Sequence, residues 1–224
     1  MKRLLVVAAG LLLAGALWTI GGATARGEEK PAPKPDADGL YALFDGKTLD
    51  GWKVGKGAEY WKVEDGQIVT RGGPSHLFYD GPLKDHDFKN FYLKAEVMTR
   101  PHANSGIYFH TKYQEAGWPS QGFEAQVNAT HSDPKKTGGL YNIKDVMNVP
   151  PHEDDKWFIY EILVEGKHVV LKVDGKVTCD WTEPDPAQPP SPGRIIKHGT
   201  IALQGHDPKS ETHFKSILIK PLPD

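Results

Sequence analysis

The 224-residue chain has one cysteine, Cys179. A lone thiol closes no intrachain disulfide, so stability must come from a hydrophobic core and not from covalent staples. No basic run occurs anywhere, and the formal net charge is −2. The electrostatic footprint that phosphate backbones demand is missing, which excludes nucleic acid as an expected partner. Amphipathic stretches of helical period are lacking, and no internal repeat is present. The single long apolar run, Leu4 to Ile20, follows Lys2 and Arg3, is interrupted by Gly10 and Gly15, and leads to Ala23-Thr24-Ala25. That three-part pattern predicts a signal peptide over residues 1–25, whereas a membrane span would need about 20 unbroken apolar residues. Cleavage after Ala25 removes Lys2 and Arg3 and no acid, moving the charge from −2 to −4. The mature protein is expected in a periplasm or outside the cell, without a membrane anchor.

Residues 26–38, RGEEKPAPKPDAD, place three prolines among charges and no large apolar side chain. This composition predicts a disordered, polyproline-like tether. Residues 39–224 then form one domain, long enough to bury about 70% of its unfolded surface. Short apolar stretches alternate there with Gly, Pro and Asp turn signals, which points to an all-β fold. Period-2 patterning puts Phe91, Leu93, Ala95 and Val97 on one strand face, and Ile107 with Phe109, Phe123 with Ala125 and Val127, and Ile201 with Leu203 on others. Hairpin turns are predicted at Glu165-Gly166-Lys167 and at Asp174-Gly175, where Asp-Gly supplies positive φ angles. Many antiparallel strands at this spacing make a two-sheet antiparallel sandwich or jelly roll. Residues 129–156 break the rhythm and read as a long ordered loop, a common place for function.

The faces opposite the predicted core differ in chemistry. Near residues 167–176 they carry lysines and His168, an ordinary solvated surface. The other set carries Asn104, Tyr108, His110, Glu124, Gln126, Asn128, Gln204 and His206, with no lysine. Short directional donors and acceptors with an aromatic ring suit sugar hydroxyls and C–H faces. The alternative is a solvent-facing polar strand of accidental composition. Ordinary glycoside hydrolysis needs two carboxylates about the scissile bond, and this face offers only Glu124, with Gln126 where a laminarinase-type glucanase would carry an acid. His110, Glu124, His131 and His206 could converge on one divalent metal ion, but only through the fold, since no tight motif joins them. No organic cofactor is expected. Trp52, Trp61 and Trp157, each beside a turn, read as core or edge anchors in preference to sugar platforms. Asn128-Ala129-Thr130 is a glycosylation sequon.

Six segments in order carry a resemblance: LFDGKTLDGWKV (43–54), YWKVEDGQIVTRGG (60–73), ANSGIYFH (103–110), GFEAQV (122–127), KTGGLYNIKD (136–145) and GTIALQGHD (199–207). Together they resemble the 3-keto-disaccharide hydrolase domain family, also described as 3-keto-glucoside 1,2-lyase and 3-keto-2-hydroxy-glucal hydratase. The resemblance implies a sandwich similar to concanavalin-A-like lectins and glucanases, exported by bacteria, acting on a carbohydrate. It also implies a chemistry that needs no second carboxylate. A ketone at C3 acidifies the C2 proton, so one base removes it and the C1 substituent is eliminated; hydration then gives net hydrolysis. On the matching motifs, Glu124 or His110 is expected as base or metal ligand and His206 as its partner. Asn104, Tyr108, Gln126, Gln204 and Tyr141 are expected to bind substrate. Where relatives carry an acid after the E-x-Q-(I/V) strand, this chain has Asn128, and His131 and Asp133 are candidates to compensate. The competing reading is a non-catalytic, lectin-like carbohydrate-binding module.

Overall fold

The computed structural model describes residues 32–224; the expected signal peptide and the first part of the tether lie outside the described residues. Strands β1 (Tyr41–Ala42), β2 (Trp52–Val54), β3 (Trp61–Glu64), β4 (Gln67–Arg71) and β5 (Ser75–Tyr79) lead to β6 (Phe91–Thr99) and β7 (Asn104–Thr111). Then follow β8 (Phe123–Asn128), β9 (Lys135–Leu140), β10 (Lys144–Met147), β11 (Phe158–Glu165), β12 (His168–Val173), β13 (Lys176–Thr182), β14 (Thr200–Gly205) and β15 (Glu211–Pro221). One sheet runs β13-β12-β11-β6-β15-β4-β3, with β1 also on β15; the other runs β10-β9-β8-β7-β14-β5-β2. Neighbouring strands pair antiparallel, which makes the molecule the two-sheet sandwich that the patterning predicts.

The period-2 residues meet between the sheets. Leu93, Ala95 and Val97 from one sheet and Ile107, Phe123, Ala125, Val127, Ile201 and Leu203 from the other are fully buried in a single cluster. Phe109 stacks on Phe123 with ring centroids 5.6 Å apart. Each of the larger side chains, Val, Leu, Ile and Phe, contributes about 1.5–3 kcal/mol by leaving water. The β12–β13 hairpin turns at Asp174 (φ 48°) and Gly175 (φ 76°), the two positive φ values that a tight two-residue turn requires. Trp52 and Trp61 are buried anchors whose indole N–H groups donate to the Leu43 carbonyl and the Ser75 hydroxyl, each at 2.8 Å. Trp157 lies at the surface, edge-on to His213.

Three expectations need correction. The segment 129–156 is not a plain loop, because it holds β9 and β10, a hairpin at the edge of the second sheet. Its KKTGGL strand lacks apolar alternation, and so escaped a search based on period. The end of the expected tether is ordered: Pro35 bridges to Tyr41, and the Asp36 carboxylate accepts from the amides of Asp38 and Leu40. Finally, His110 does not share a face with Tyr108. Thr111 pairs with Thr200 but Tyr108 with Ala202, so β7 carries one residue more than β14 across this interval. His110 sits in that bulge at φ 53°, and a bulge re-aims every side chain beyond it. Gly122 and Gly199 flank the bulge so tightly that a Cβ on either would collide with carbonyl oxygens of β7.

Candidate carbohydrate cleft

The outer face of the second sheet holds a cleft of about 380 Å³, within the range of small-molecule sites. Its floor is Asn104 and Tyr108 from β7, Glu124 and Gln126 from β8, and Gln204 from β14. Register puts them together: Tyr108 lies directly opposite Glu124, and Asn104 opposite Asn128. Gly106, facing Gln126 across the same pair, leaves the room that the carboxylate uses, since a Cβ there would lie 2.5 Å from Glu124 Oε1.

Glu124 is tied from three sides. The Tyr108 hydroxyl donates to Oε2 at 2.8 Å, and Gln204 Nε2 donates to Oε1 at 3.0 Å. With its amide nitrogen turned toward Glu124, Gln126 donates to Oε1 at 3.1 Å and to the Ser105 carbonyl at 3.2 Å. Burial is nevertheless the stronger influence and pushes the carboxyl up to about 7, against the hydrogen bonds of Tyr108 and Gln204 and the positive charge of Arg194. A carboxylate poised near neutrality in a polar cleft is suited to acid–base work. Burial and the adjoining Glu124 charge push the Tyr108 phenol well above its ordinary range, so it remains a donor.

The rim comes from loops. Trp118, 48% exposed, leans over His206 at a centroid distance of 5.2 Å and meets His76 edge-on. Its loop is fixed by Gln114, whose amide donates to the carbonyls of Ala116 and Trp118. Arg194 donates from Nη1 to the Tyr141 carbonyl at 3.1 Å. The Tyr141 hydroxyl donates to Asp133 Oδ2 at 3.1 Å and is pushed up to about 12 by burial and that carboxylate. Below Trp118, His76 is buried with Nε2 unpartnered among the described residues, and burial with the nearby His206 holds it down at about 4.

At one end of the cleft His131, His206 and Asp207 gather, each offering a ligand atom within 4.8 Å of the others. Asp207 Oδ2 lies 3.0 Å from His206 Nδ1 and 3.7 Å from His131 Nε2. Burial and the facing His206 lower the His131 pKa, keeping it neutral as a ligand must be. Burial opposes the Asp207 charge, but hydrogen bonds from Ser210, His206 and the Lys209 amide hold its pKa below the ordinary value. Two imidazoles and a carboxylate fit a divalent first-row ion. Asn128 is not among the residues of this cluster. Its Oδ1 accepts the His131 amide and its Nδ2 donates to the Asp133 and Lys135 carbonyls, building the loop that presents His131. So engaged and fully buried, Asn128 closes the sequon in the folded protein.

The structure thus brings Asn104, Tyr108, Glu124, Gln126, Tyr141, Gln204 and His206 to one cleft, and His131 and His206 to one cluster. His110 stands apart from both. Its Nε2 bonds the Lys89 carbonyl at 2.8 Å, its ring packs edge-on against Phe91 and Phe109, and burial holds it near 4. None of the hydrogen bonds of Glu124 reaches the His131–His206–Asp207 cluster, and Asp133 turns to Tyr141 instead. Sequence reasoning missed Trp118, Arg194, Asp207 and His76. The first two lie in loops without period, while Asp207 follows His206 in a motif already singled out.

Residues 39–220 match the model of the 3-keto-alpha-glucoside-1,2-lyase-like domain. The chain belongs to that family. An 82-residue stretch is 40% identical to a 3-keto-disaccharide hydrolase of Bacteroides thetaiotaomicron, covering 33% of this chain and 28% of that protein. The match therefore spans under a third of that relative's length. Among solved structures, a candidate glycosyl hydrolase from Parabacteroides distasonis superposes with a TM-score of 0.69 at 24% identity, over 84% of this chain and 95% of that one. The carbohydrate-binding module CBM66 from Bacillus subtilis gives 0.55 at 14% identity, over 76% and 95%. At these identities both likenesses establish the sandwich alone.

Proposed function

We propose that this domain cleaves 3-keto-glucosides by elimination, with Glu124 as the base that takes the C2 proton. The observation that carries the reading is that Glu124 is the one carboxylate among the described residues lining the cleft. A direct hydrolysis would call for two. With a ketone at C3, the C2–H bond breaks to give Glu124 a proton and the substrate an enolate. Collapse of the enolate breaks the C1–O bond, and the leaving oxygen departs with that electron pair and acquires a proton. Water adding across the new C1–C2 double bond completes a net hydrolysis.

The chain's own residues supply the setting. Tyr108, Gln126 and Gln204 fix the carboxylate, and Asn104 offers its side-chain amide at the floor to sugar oxygens. Donors aimed at a developing oxyanion in such a site lower the barrier by a few kcal/mol each. His131, His206 and Asp207 would hold a divalent ion, which when bound supplies a Lewis acid for the enolate oxygen. Export to a periplasm or beyond, where glycans are met, accords with the amino-terminal pattern of the sequence.

A second reading, a carbohydrate-binding module, is favoured by the three donors already engaging Glu124 and by the exposed Trp118 ring. The discriminating experiment incubates the protein with a 3-keto-glucoside and with its unoxidised parent, with and without a chelator, in deuterated water, and follows products by mass spectrometry. The elimination reading expects cleavage of the keto substrate only, with deuterium entering at C2. Equal cleavage of the parent would sink it, and binding without turnover of either compound would establish the module.

A further inference from the structure

A second pocket of about 260 Å³ adjoins the cleft and shares Asn142 and Arg194 with it. Its walls differ from the cleft in kind. Ile143, Trp181, Pro184, Pro189 and Pro190 give it rigid apolar surfaces, with Gln188 among the lining residues. The acid in its lining, Glu183, is buried and spends Oε1 on the Ile196 amide at 2.7 Å. That bond ties the two ends of the 183–196 loop together. Its carboxy-terminal part is held further where the Gly122 amide donates to the Gly193 carbonyl and Gly193 packs on Ser120 too closely for any side chain. Trp181 is held against Phe123 with centroids 5.7 Å apart, and Phe123 immediately precedes Glu124. One wall of the pocket is therefore braced, through the core, on the strand that presents Glu124.

We propose that this pocket is a leaving-group subsite, which takes a ring bonded to C1 of the sugar whose C2 faces Glu124. The assignment rests on the elimination reading for the identity of that sugar. Preformed proline and tryptophan surfaces suit a flat or chair-shaped ring presenting C–H or π faces, and little side-chain entropy is lost on contact. The junction between the two pockets is polar. Arg194 uses one donor on the Tyr141 carbonyl, leaving further guanidinium N–H groups for an oxygen at the boundary. A glycosidic oxygen joining the two rings belongs there. What the assignment adds is the place of the second ring, a sugar or an aryl group, against Trp181 and the prolines.

The test measures binding, so that it does not depend on turnover. Methyl and phenyl 3-keto-α-glucosides and a 3-keto-disaccharide are titrated calorimetrically into the Glu124→Gln protein. The same titrations are run on that protein carrying Gln188→Trp, which fills the pocket from an exposed loop, or Trp181→Leu, which keeps apolar volume against Phe123 but removes the aromatic face. The expected result is binding of the two-ring ligands on the order of tenfold tighter than the methyl glucoside, a preference lost in both variants while methyl affinity is unchanged. The order of phenyl glucoside and disaccharide then identifies the natural second ring. Equal affinity for all three ligands, a preference that survives both variants, or parallel loss of methyl binding would overturn the subsite. If the wild-type protein leaves every keto-glucoside intact while the two-ring preference holds, the elimination reading fails and the subsite stands.

Discussion

Replacing Glu124 by Gln separates the cost of burying a charge from the benefit of its hydrogen bonds. In the folded protein burial raises the carboxyl from 4.5 to about 7. Between those pH values the native state keeps a proton that the unfolded chain has released, so stability must fall as pH rises through this window. A shift of this size corresponds to about 3 kcal/mol, at about 1.4 kcal/mol per pH unit. The substituted amide cannot titrate. It replaces one acceptor facing Tyr108, Gln204 and Gln126, at a cost of about 1–3 kcal/mol that does not vary with pH. The difference in unfolding free energy, variant minus wild type, should therefore move by about 3 kcal/mol in favour of the variant between pH 4 and pH 9. Urea unfolding at a series of pH values measures it, and because every other titrating group is common to both proteins the difference isolates this one. A difference flat to within about 0.5 kcal/mol would refute the reasoning, showing that the three donors and Arg194 offset desolvation in full.

On the proposed reading the same group sets the rate. On the elimination reading, kcat/KM against a 3-keto-glucoside should climb through pH 6–8, reach half its plateau near 7 and level off above about 8 as Glu124 loses its proton; Tyr108, Gln204, Arg194 and Asp133 are the groups that bear on it. A profile flat from pH 5 to 8 would remove Glu124 as the base. Gly106→Ala should destabilise the fold by about 1–3 kcal/mol or displace the carboxylate, lowering kcat more than tenfold, because its Cβ would lie 2.5 Å from Glu124 Oε1. Thermal unfolding and kinetics together tell these apart. Trp118→Ala should leave the melting temperature unchanged and weaken sugar binding by about 0.5–1.5 kcal/mol, seen in calorimetry, since the ring is 48% exposed on the rim. Titration with divalent ions should show one site per chain, abolished by His131→Ala or His206→Ala and untouched by His110→Ala, whose ring is committed to the Lys89 carbonyl.

The sandwich was legible because its physics is local. Period-2 burial of Leu93, Ala95 and Val97, or of Phe123, Ala125 and Val127, needs no knowledge of partners, and Asp174-Gly175 carries its turn geometry in its own residue types. The same parity placed Tyr108, Glu124, Gln126 and Gln204 on one outer face, where the cleft floor lies. Parity fails at a bulge. His110 follows the rule in sequence and breaks it in space, because the single extra residue of β7 is defined only by its pairing with β14. The β9–β10 hairpin was hidden for a related reason: Lys135 and Lys136 pair with Met147 and Val146 through backbone groups that no side-chain pattern reports, and Gly138 and Gly139 bring no side chain to a pattern.

Floor and rim consequently carry different information. The floor is made of short polar side chains on three adjacent strands, each held by its neighbours, so a change at any one disturbs the others and the chemistry stays with the fold. The rim is drawn from separate loops, around Trp118, around His131 and Tyr141, and from the 183–196 segment that ends near Arg194. Each loop is anchored on its own, by Gln114, by Asn128 and by Glu183. Independent anchoring lets one loop change length or composition without cost to the sheet beneath it. Two domains of this fold can therefore share the floor and differ at the rim, and on the proposed reading a difference in metal or leaving group would reside in this chain at His131, Trp118, Trp181 and Arg194.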